Sequence, residues 1–326
     1  MNGVPPLGLF LTLAALSVAA LALALASGSV ELGWGELWAV LSGAGADRAR
    51  DIVLELRLNR AEAAFATGGL LGLAGALMQA LLRNPLADPY VLGISGGAAV
   101  GALLALVAGL AAPGPELAAL AGATLSMTLV FGLAHGRGGW TPTRLLLTGV
   151  VIAAGWGALI SFILTVSPER GLRSMLFWLM GDLARTRWGG AGLVLLAAAL
   201  ALALPLGRAL NLLARGELQA AALGVEVPRV RLAAYGLASL TTAAAVTLAG
   251  SVGFVGLVIP HMLRLVGATD HRVLLPATVL LGGSLLVLAD TLARTALAPQ
   301  QLPVGVVTAL VGVPLFLYLL NRRAAA

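Results

Sequence analysis

Apolar runs of roughly twenty residues recur along the chain, separated by short polar connections: 7 to 28, 61 to 82, 91 to 111, 116 to 134, 145 to 166, 190 to 210, 233 to 252, 273 to 292 and 304 to 321. Each is long enough for a helix to cross the ~30 Å of bilayer hydrocarbon. A further apolar piece, Phe254 to Val266, is shorter than a comfortable crossing; it reads as a short tenth span in preference to a re-entrant segment. The pattern predicts an all-α integral membrane protein of about ten transmembrane helices. The first run follows Met1 to Pro6, which carry no positive charge, and ends at Ser27, Gly28 and Ser29. A signal peptide would have a basic start and a small-residue exit, so the run is taken as the first span.

Composition agrees with the pattern: 60% of the 326 residues are hydrophobic and 10% charged, with mean hydropathy +0.99, where a soluble domain carries about 25% charged residues. All 326 residues are taken as one transmembrane domain, with 211–231 a polar segment on the inner side. An offset of 175 residues places Thr67, Leu73, Ala74, Gly75 and Pro85 on Thr242, Leu248, Ala249, Gly250 and Pro260. If each half holds five spans, an odd number, the two halves lie in inverted orientation, an arrangement that places transporter pathways at the repeat interface. Gly68, Gly69, Gly72 and Gly75 would let helix backbones approach closely in lipid.

Charge gives orientation and exclusions. All 20 basic residues are Arg and there is no Lys, so the lysine of a phosphate-binding loop is missing and an ordinary Walker-type ATP site is excluded. With ten spans, eleven Arg fall on the side of the termini and nine on the other, a balance that tilts toward both termini inside. Arg57 and Arg60 run against that rule and need a separate reason. No Cys is present, which removes disulfides and thiolate metal sites. His135, His261 and His271 fall in or beside inner connections, as polar caps or a contact surface and not as a metal site.

Three connections carry candidate function. Leu81 to Gly93, LLRNPLADPYVLG, interrupts two apolar segments: Pro85 and Pro89 forbid continuous helix, Asn84 and Asp88 suit a tight turn, and the stretch reads either as a plain structural turn or, by its echo at Pro260 to His261, as a broken helix at a pathway end. Arg215 to Arg231, RGELQAAALGVEVPRVR, predicts a short inner helix from Glu217, stopped by Gly224. On the outer side, Arg57 and Arg60, three apart on one helical face, join Arg294 in a cationic surface, or else snorkel at the interface. Pro168 to Trp188 is amphipathic and predicts an outer surface helix through MLFWLMGDL.

These residues together resemble the FecCD-type permease subunits of ABC importers for ferric siderophores, haem and cobalamin. The phrases that carry the resemblance are RNPLADPYVLGISGGAAVG from Arg83, TRLLLTGV from Thr143, FWLMGDL from Phe177, GELQAAALG from Gly216, GFVGLVIPHMLRLVGATDHRVLLP from Gly253, LADTLAR from Leu288 and LPVGVVTALVGVPLF from Leu302. The resemblance implies a homodimer in the bacterial inner membrane with the pathway on its axis, two cytoplasmic ATPase subunits that hold ATP and Mg, and a periplasmic binding protein that delivers a metal chelate. It implies no cofactor, metal or catalytic residue on this chain, and no nucleic-acid partner. By the same resemblance Glu217, Ala221 and Gly224 would couple to the ATPase. Asn84, Leu86, Thr141 and Thr143 would form the cytoplasmic gate. Arg57, Arg60 and Arg294 would meet carboxylates of the binding protein. MGDL departs from some relatives by its acidic Asp182, followed by Arg185 and Arg187.

Two other classes fit the residues less well. An ion-coupled secondary transporter with inverted repeats would keep an ionisable group at mid-membrane, and Glu62 and Asp290, the acids nearest a span interior, are not near a midplane. An intramembrane enzyme would need a catalytic grouping within a span, and no His/Glu/Asp or Ser/His set falls there. Which chelate is carried stays open between iron chelate and corrinoid.

Overall fold

Every apolar run becomes a helix, and two of the ten crossings are completed by irregular backbone. The computed structural model describes residues 5–28, 30, 32–135, 140–184, 186 and 188–324; Arg137, Arg185 and Arg187 lie outside the described residues, as do the side chains of Arg322 and Arg323. α1 (Pro6–Ala26) opens on a proline, whose missing N–H is no loss at a helix start. Two short helices follow, α2 (Trp34–Leu41) and α3 (Asp47–Arg50). A π-helical stretch, Asp51–Leu58, then runs into α4 (Asn59–Leu82). After a 3-10 turn at Pro89–Leu92 come α5 (Ile94–Val107), α6 (Gly114–Ala134) and α7 (Pro142–Val166). The second half holds α8 (Glu169–Leu179), α9 (Gly189–Ala203), α10 (Gly207–Ala214), α11 (Glu217–Ala222), α12 (Val227–Ala249), α13 (Val255–Leu265), α14 (His271–Thr295) and α15 (Val304–Ala324). A 3-10 turn, Leu204–Leu206, joins α9 to α10 into a single crossing.

α4 is the hub. Of its most apolar stretch, 89% is buried inside the chain, against 11% for α7, so α4 meets protein on all sides while α7 is left open along most of its length. Lipid tails are as apolar as leucine, so tight packing, not exclusion from water, holds such helices together. Small residues provide it: Gly68 faces the Gly282 carbonyl of α14, Gly72 the Thr278 carbonyl, and Gly75 the Gly256 carbonyl of α13. α1 docks on α14 through a 2.8 Å hydrogen bond between the buried Ser17 and Ser284 hydroxyls.

α5 and α13 hold the same place, third, in their five-helix halves. With 14 and 11 residues, they cover about 21 and 17 Å at 1.5 Å per residue, too little to cross alone. The 3-10 turn at 89–92 and the irregular stretch 250–254 complete them, and these two breaks touch: the Val252 N–H donates to the Tyr90 hydroxyl at 3.0 Å. Irregular backbone at such depth persists only where protein covers it. Short, interrupted segments in matching positions of two inverted halves are the hallmark of a transporter pathway.

Two expectations change here. The echo of the turn at Pro260 is not a matching irregular turn: Pro260 is inside α13, and the chain bends earlier, at Gly250 (φ 68°) and Phe254 (φ 70°). The amphipathic helix α8 stops at Leu179 and does not continue through MGDL. Gly181 there takes φ 79°, and a side chain on it would strike the Ser251 carbonyl. Asp182 instead uses its N–H on the Ala249 carbonyl at 2.8 Å and its carboxylate on the Ala184 N–H at 2.8 Å.

Candidate functional site

At the inner end of α4 the sequence cannot continue as helix, and its polar residues hold the turn that results. Arg83 adopts a left-handed conformation, φ 48°. Asn84 returns its N–H to the Gln79 carbonyl at 3.2 Å, and its Oδ1 accepts from the Leu86 N–H at 2.9 Å. Asp88 opens the 3-10 turn by accepting from the Tyr90 N–H at 2.8 Å. Burial pushes the Asp88 carboxyl above its ordinary range, opposed by that N–H. Asn84, Pro85 and Leu86 are exposed.

Thr141 caps α7, its Oγ1 accepting from the Arg144 N–H at 3.3 Å, and Thr143, the second residue of the helix, is exposed. Among the described residues no hydrogen bond joins Asn84 or Leu86 to Thr141 or Thr143. The two segments nonetheless flank a common small void lined by Leu81, Leu145, Trp140, Tyr235 and Arg231. Above it, Trp156 of α7 donates to the Ser126 hydroxyl at 2.9 Å, which donates to the Gly93 carbonyl at 2.8 Å. α7 is thereby tied to the start of the broken helix α5.

The expected inner helix is present as α11, bounded by Gly216 (φ 128°) and Gly224 (φ 82°). Ala220 anchors it against Leu213 and Val227. Ala221 is exposed, and Leu218 and Leu223 are 88% and 67% exposed. Glu217 does not face outward freely. Its Oε1 accepts from Arg83 of the turn at 2.9 Å and from Arg231 of α12. Sequence reading missed Arg83, Arg231 and the two leucines; the leucines were visible as large apolar residues in an otherwise polar segment.

On the outer side Arg57, Arg60 and Arg294 border one recess of about 1180 Å³. Each of these guanidinium groups has acceptors within the chain. Arg57, which is buried, donates to the Leu25 carbonyl at 2.7 Å, to that of Ala26 at 2.9 Å and to that of Val30; Arg294, also buried, donates to that of Ala24. The carbonyls of Ala24, Leu25 and Ala26 are orphans at the end of α1, where cations are favoured, and that of Val30 lies just beyond it. Arg60 binds the buried Asp290 bidentately, with Nε to Oδ2 at 2.8 Å and Nη2 to Oδ1 at 2.9 Å, and reaches Gln301 with Nη1 at 2.9 Å. Arg57 lies at the end of the π-helical stretch and Arg60 in the first turn of α4, and both line the same recess.

The histidines divide. His271 bonds Asn211, which also binds Asp270 at 2.7 Å and so ties α10 to the start of α14. The Arg272 guanidinium holds the Asp270 carboxyl well below its ordinary range, with Asn211 adding to it. His135 stacks on Trp140, and His261 lies edge-on to Phe316.

Removing the Tyr90 hydroxyl should leave the Val252 N–H unpaired in a buried place. Tyr90→Phe is expected to cost about 1–3 kcal/mol, measured as a lowered thermal midpoint in detergent. An unchanged midpoint would mean that the two breaks do not hold each other.

A ten-crossing inverted-repeat bundle with two meeting helix breaks and an exposed inner helix is the architecture of a transport permease. The FecCD transport family model matches residues 15–322, and the chain belongs to that family. It is the permease subunit of an ABC importer, which operates with ATPase and binding-protein partners. The Cobalamin import system permease protein BtuC of Halobacterium salinarum is 45% identical over 282 residues, 85% of this chain and 75% of that one. The Vitamin B12 import system permease protein BtuC of Escherichia coli O127:H6 is 41% identical over 292 residues, covering 88% and 89%. A solved inward-facing conformation of a proposed metal-chelate type ABC transporter superposes with TM-score 0.87 at 31% identity, covering 98% and 100%. PsaBC from Streptococcus pneumoniae, at TM-score 0.57 and 19% identity, covers 83% and 93% and shares the fold.

Proposed function

We propose that this chain conducts a corrinoid of the cobalamin type across the bacterial inner membrane, as a homodimer with both termini cytoplasmic. The observation that carries the substrate class is the identity of 45% and 41% to permeases named for cobalamin and vitamin B12 import. The open face of α7, buried over only 11% of its apolar stretch, is the surface assigned to the second copy and the pathway. Two cytoplasmic ATPase subunits hold ATP and Mg, since this chain has no lysine for a phosphate loop. They dock on α11 around Glu217, Ala221 and Gly224, with Leu218 and Leu223 as apolar contacts of the kind found at the centre of interfaces. Asn84, Leu86, Thr141 and Thr143 close the inner mouth: all four are exposed and lie where the backbone is irregular or just capped. Binding-protein docking is assigned to the recess of Arg57, Arg60 and Arg294. Arg60, which already reaches the exposed side of the recess toward Gln301, makes the direct contact, while Arg57 and Arg294 hold α1 beneath it.

The test is uptake into proteoliposomes that hold this subunit with its ATPase, ATP on the ATPase side and a loaded binding protein on the other, offered radiolabelled cobalamin, haem and a ferric siderophore. ATP-dependent uptake of cobalamin is expected. Uptake of haem or siderophore alone would keep the class and replace the substrate. Uptake that followed an ion gradient without ATP would overturn the reading.

A further inference from the structure

The residue that closes α4 is in the wrong conformation for its type. Arg83 is held at φ 48° and ψ 36°, in the region where a helix C-cap is least strained with glycine. A side chain retained at such a position points to a use for it. The Arg83 guanidinium leaves the turn and donates from Nη2 to Glu217 Oε1 at 2.9 Å, and Arg231 of α12 donates to the same oxygen. Glu217 is the first residue of α11, which is bounded by two positive-φ glycines, Gly216 and Gly224, each with nothing near enough to restrict it. α11 is a short helix set between two positive-φ glycines and seated through Ala220 on Leu213 and Val227. One cord, the Glu217 carboxylate, runs from it to both the turn and α12.

We propose that Arg83, Glu217 and Arg231 are positioning residues that make the Asn84–Leu86 turn follow the movement of α11. The inference rests on the reading of α11 as the surface on which the ATPase acts. The charges are partly exposed, at 45%, 33% and 19% of the side chain for Arg83, Glu217 and Arg231, and pairs of this kind add little to stability. Their contribution is to register: Asn84 and Leu86 follow Arg83 directly, so displacing Glu217 pulls on the first residue of the turn. Arg231 keeps the carboxylate aimed when α11 rotates.

Arg83→Gly separates this role from a folding role, because glycine relieves the backbone strain while it removes the tether. In the reconstituted complex, R83G and R83Q should each lower the ligand transported per ATP hydrolysed by about fivefold, the upper end of what a partly exposed ion pair supplies, and R83K should restore much of it. A wild-type ratio in R83G would overturn the proposal. A nitroxide at Leu86 of the isolated chain gives a second readout that does not depend on transport. R83G and E217Q should each raise its mobility, and the double variant should raise it no further. Additive changes would mean that Arg83 and Glu217 act separately, and the tether would fall even if the chain transports as proposed. Failure of ATP-dependent uptake in the wild type alongside a non-additive nitroxide result would instead remove the functional reading and leave the tether standing.

Discussion

Asp290→Ala is expected to destabilise the fold by about 3–5 kcal/mol, the cost of leaving buried charge without its partner. Asp290 is 2% exposed and accepts three hydrogen bonds from Arg60, with Arg294 Nε 3.9 Å away. Arg57 and Arg294 hydrogen-bond only neutral carbonyls among the described residues, and Asp290 is the carboxylate that faces Arg60 and Arg294. Removing it leaves Arg60 and Arg294 facing each other across a cavity in a poorly solvated place. The damage should spread to α1, because Arg57 and Arg294 cap that helix's last carbonyls. Thermal unfolding in detergent measures the loss, and proteolysis near residues 26–33 measures the release of α1. Asp290→Asn keeps the shape and the acceptor and should lose less. Replacing Arg60 and Asp290 together with apolar residues of similar size should recover part of the loss, as with other buried pairs exchanged as a unit. If Asp290→Ala melted like the wild type, the cluster would be dispensable to the fold and free to serve the outer surface alone.

How much of this was legible in the sequence follows the range of the forces involved. The ten crossings were legible because hydropathy over about twenty residues is a local signal, and α11 because glycines bracket it. The Asp290 cluster was not, since Arg60 and Asp290 lie 230 residues apart in the chain and nothing local marks them as partners. The inward turn of Arg57 was not legible either, since its acceptors, the carbonyls of Leu25, Ala26 and Val30, lie about 30 residues away in the chain. The short Phe254 to Val266 segment was visible as short. Its counterpart α5 was not, because Tyr90 to Leu92 are apolar and blend into the run, although they form a 3-10 turn. The gate turn was legible from its prolines and Asx residues, but its tie to Glu217 depends on the tertiary path of Arg83 and Arg231. Glycine was the most ambiguous letter. Gly75 and Gly155 look alike in sequence, yet a side chain on one meets backbone and on the other meets open space.

That difference gives the second large effect. Gly75→Leu should cost about 3 kcal/mol or more, from the overpacking of a contact that cannot relax. A Cβ on Gly75 would fall on the carbonyl of Gly256, which is backbone and not the end of a flexible side chain. Gly256 lies four residues before Pro260, which has no N–H, so its carbonyl lacks the usual helical donor and α4 packs its glycine against it. A leucine would push α13 off the hub and open the meeting of the two breaks at Tyr90 and Val252. Gly155→Ala on α7 is the matched control and should stay within about 0.5 kcal/mol of the wild type. The measurement is the thermal midpoint of both variants, purified side by side in one detergent. Loss in Gly75→Leu with retention in Gly155→Ala would place the close α4–α13 approach at the centre of the fold. Equal midpoints would mean that the helices can separate there without cost, and the paired breaks would then be a loose region and not a packed one.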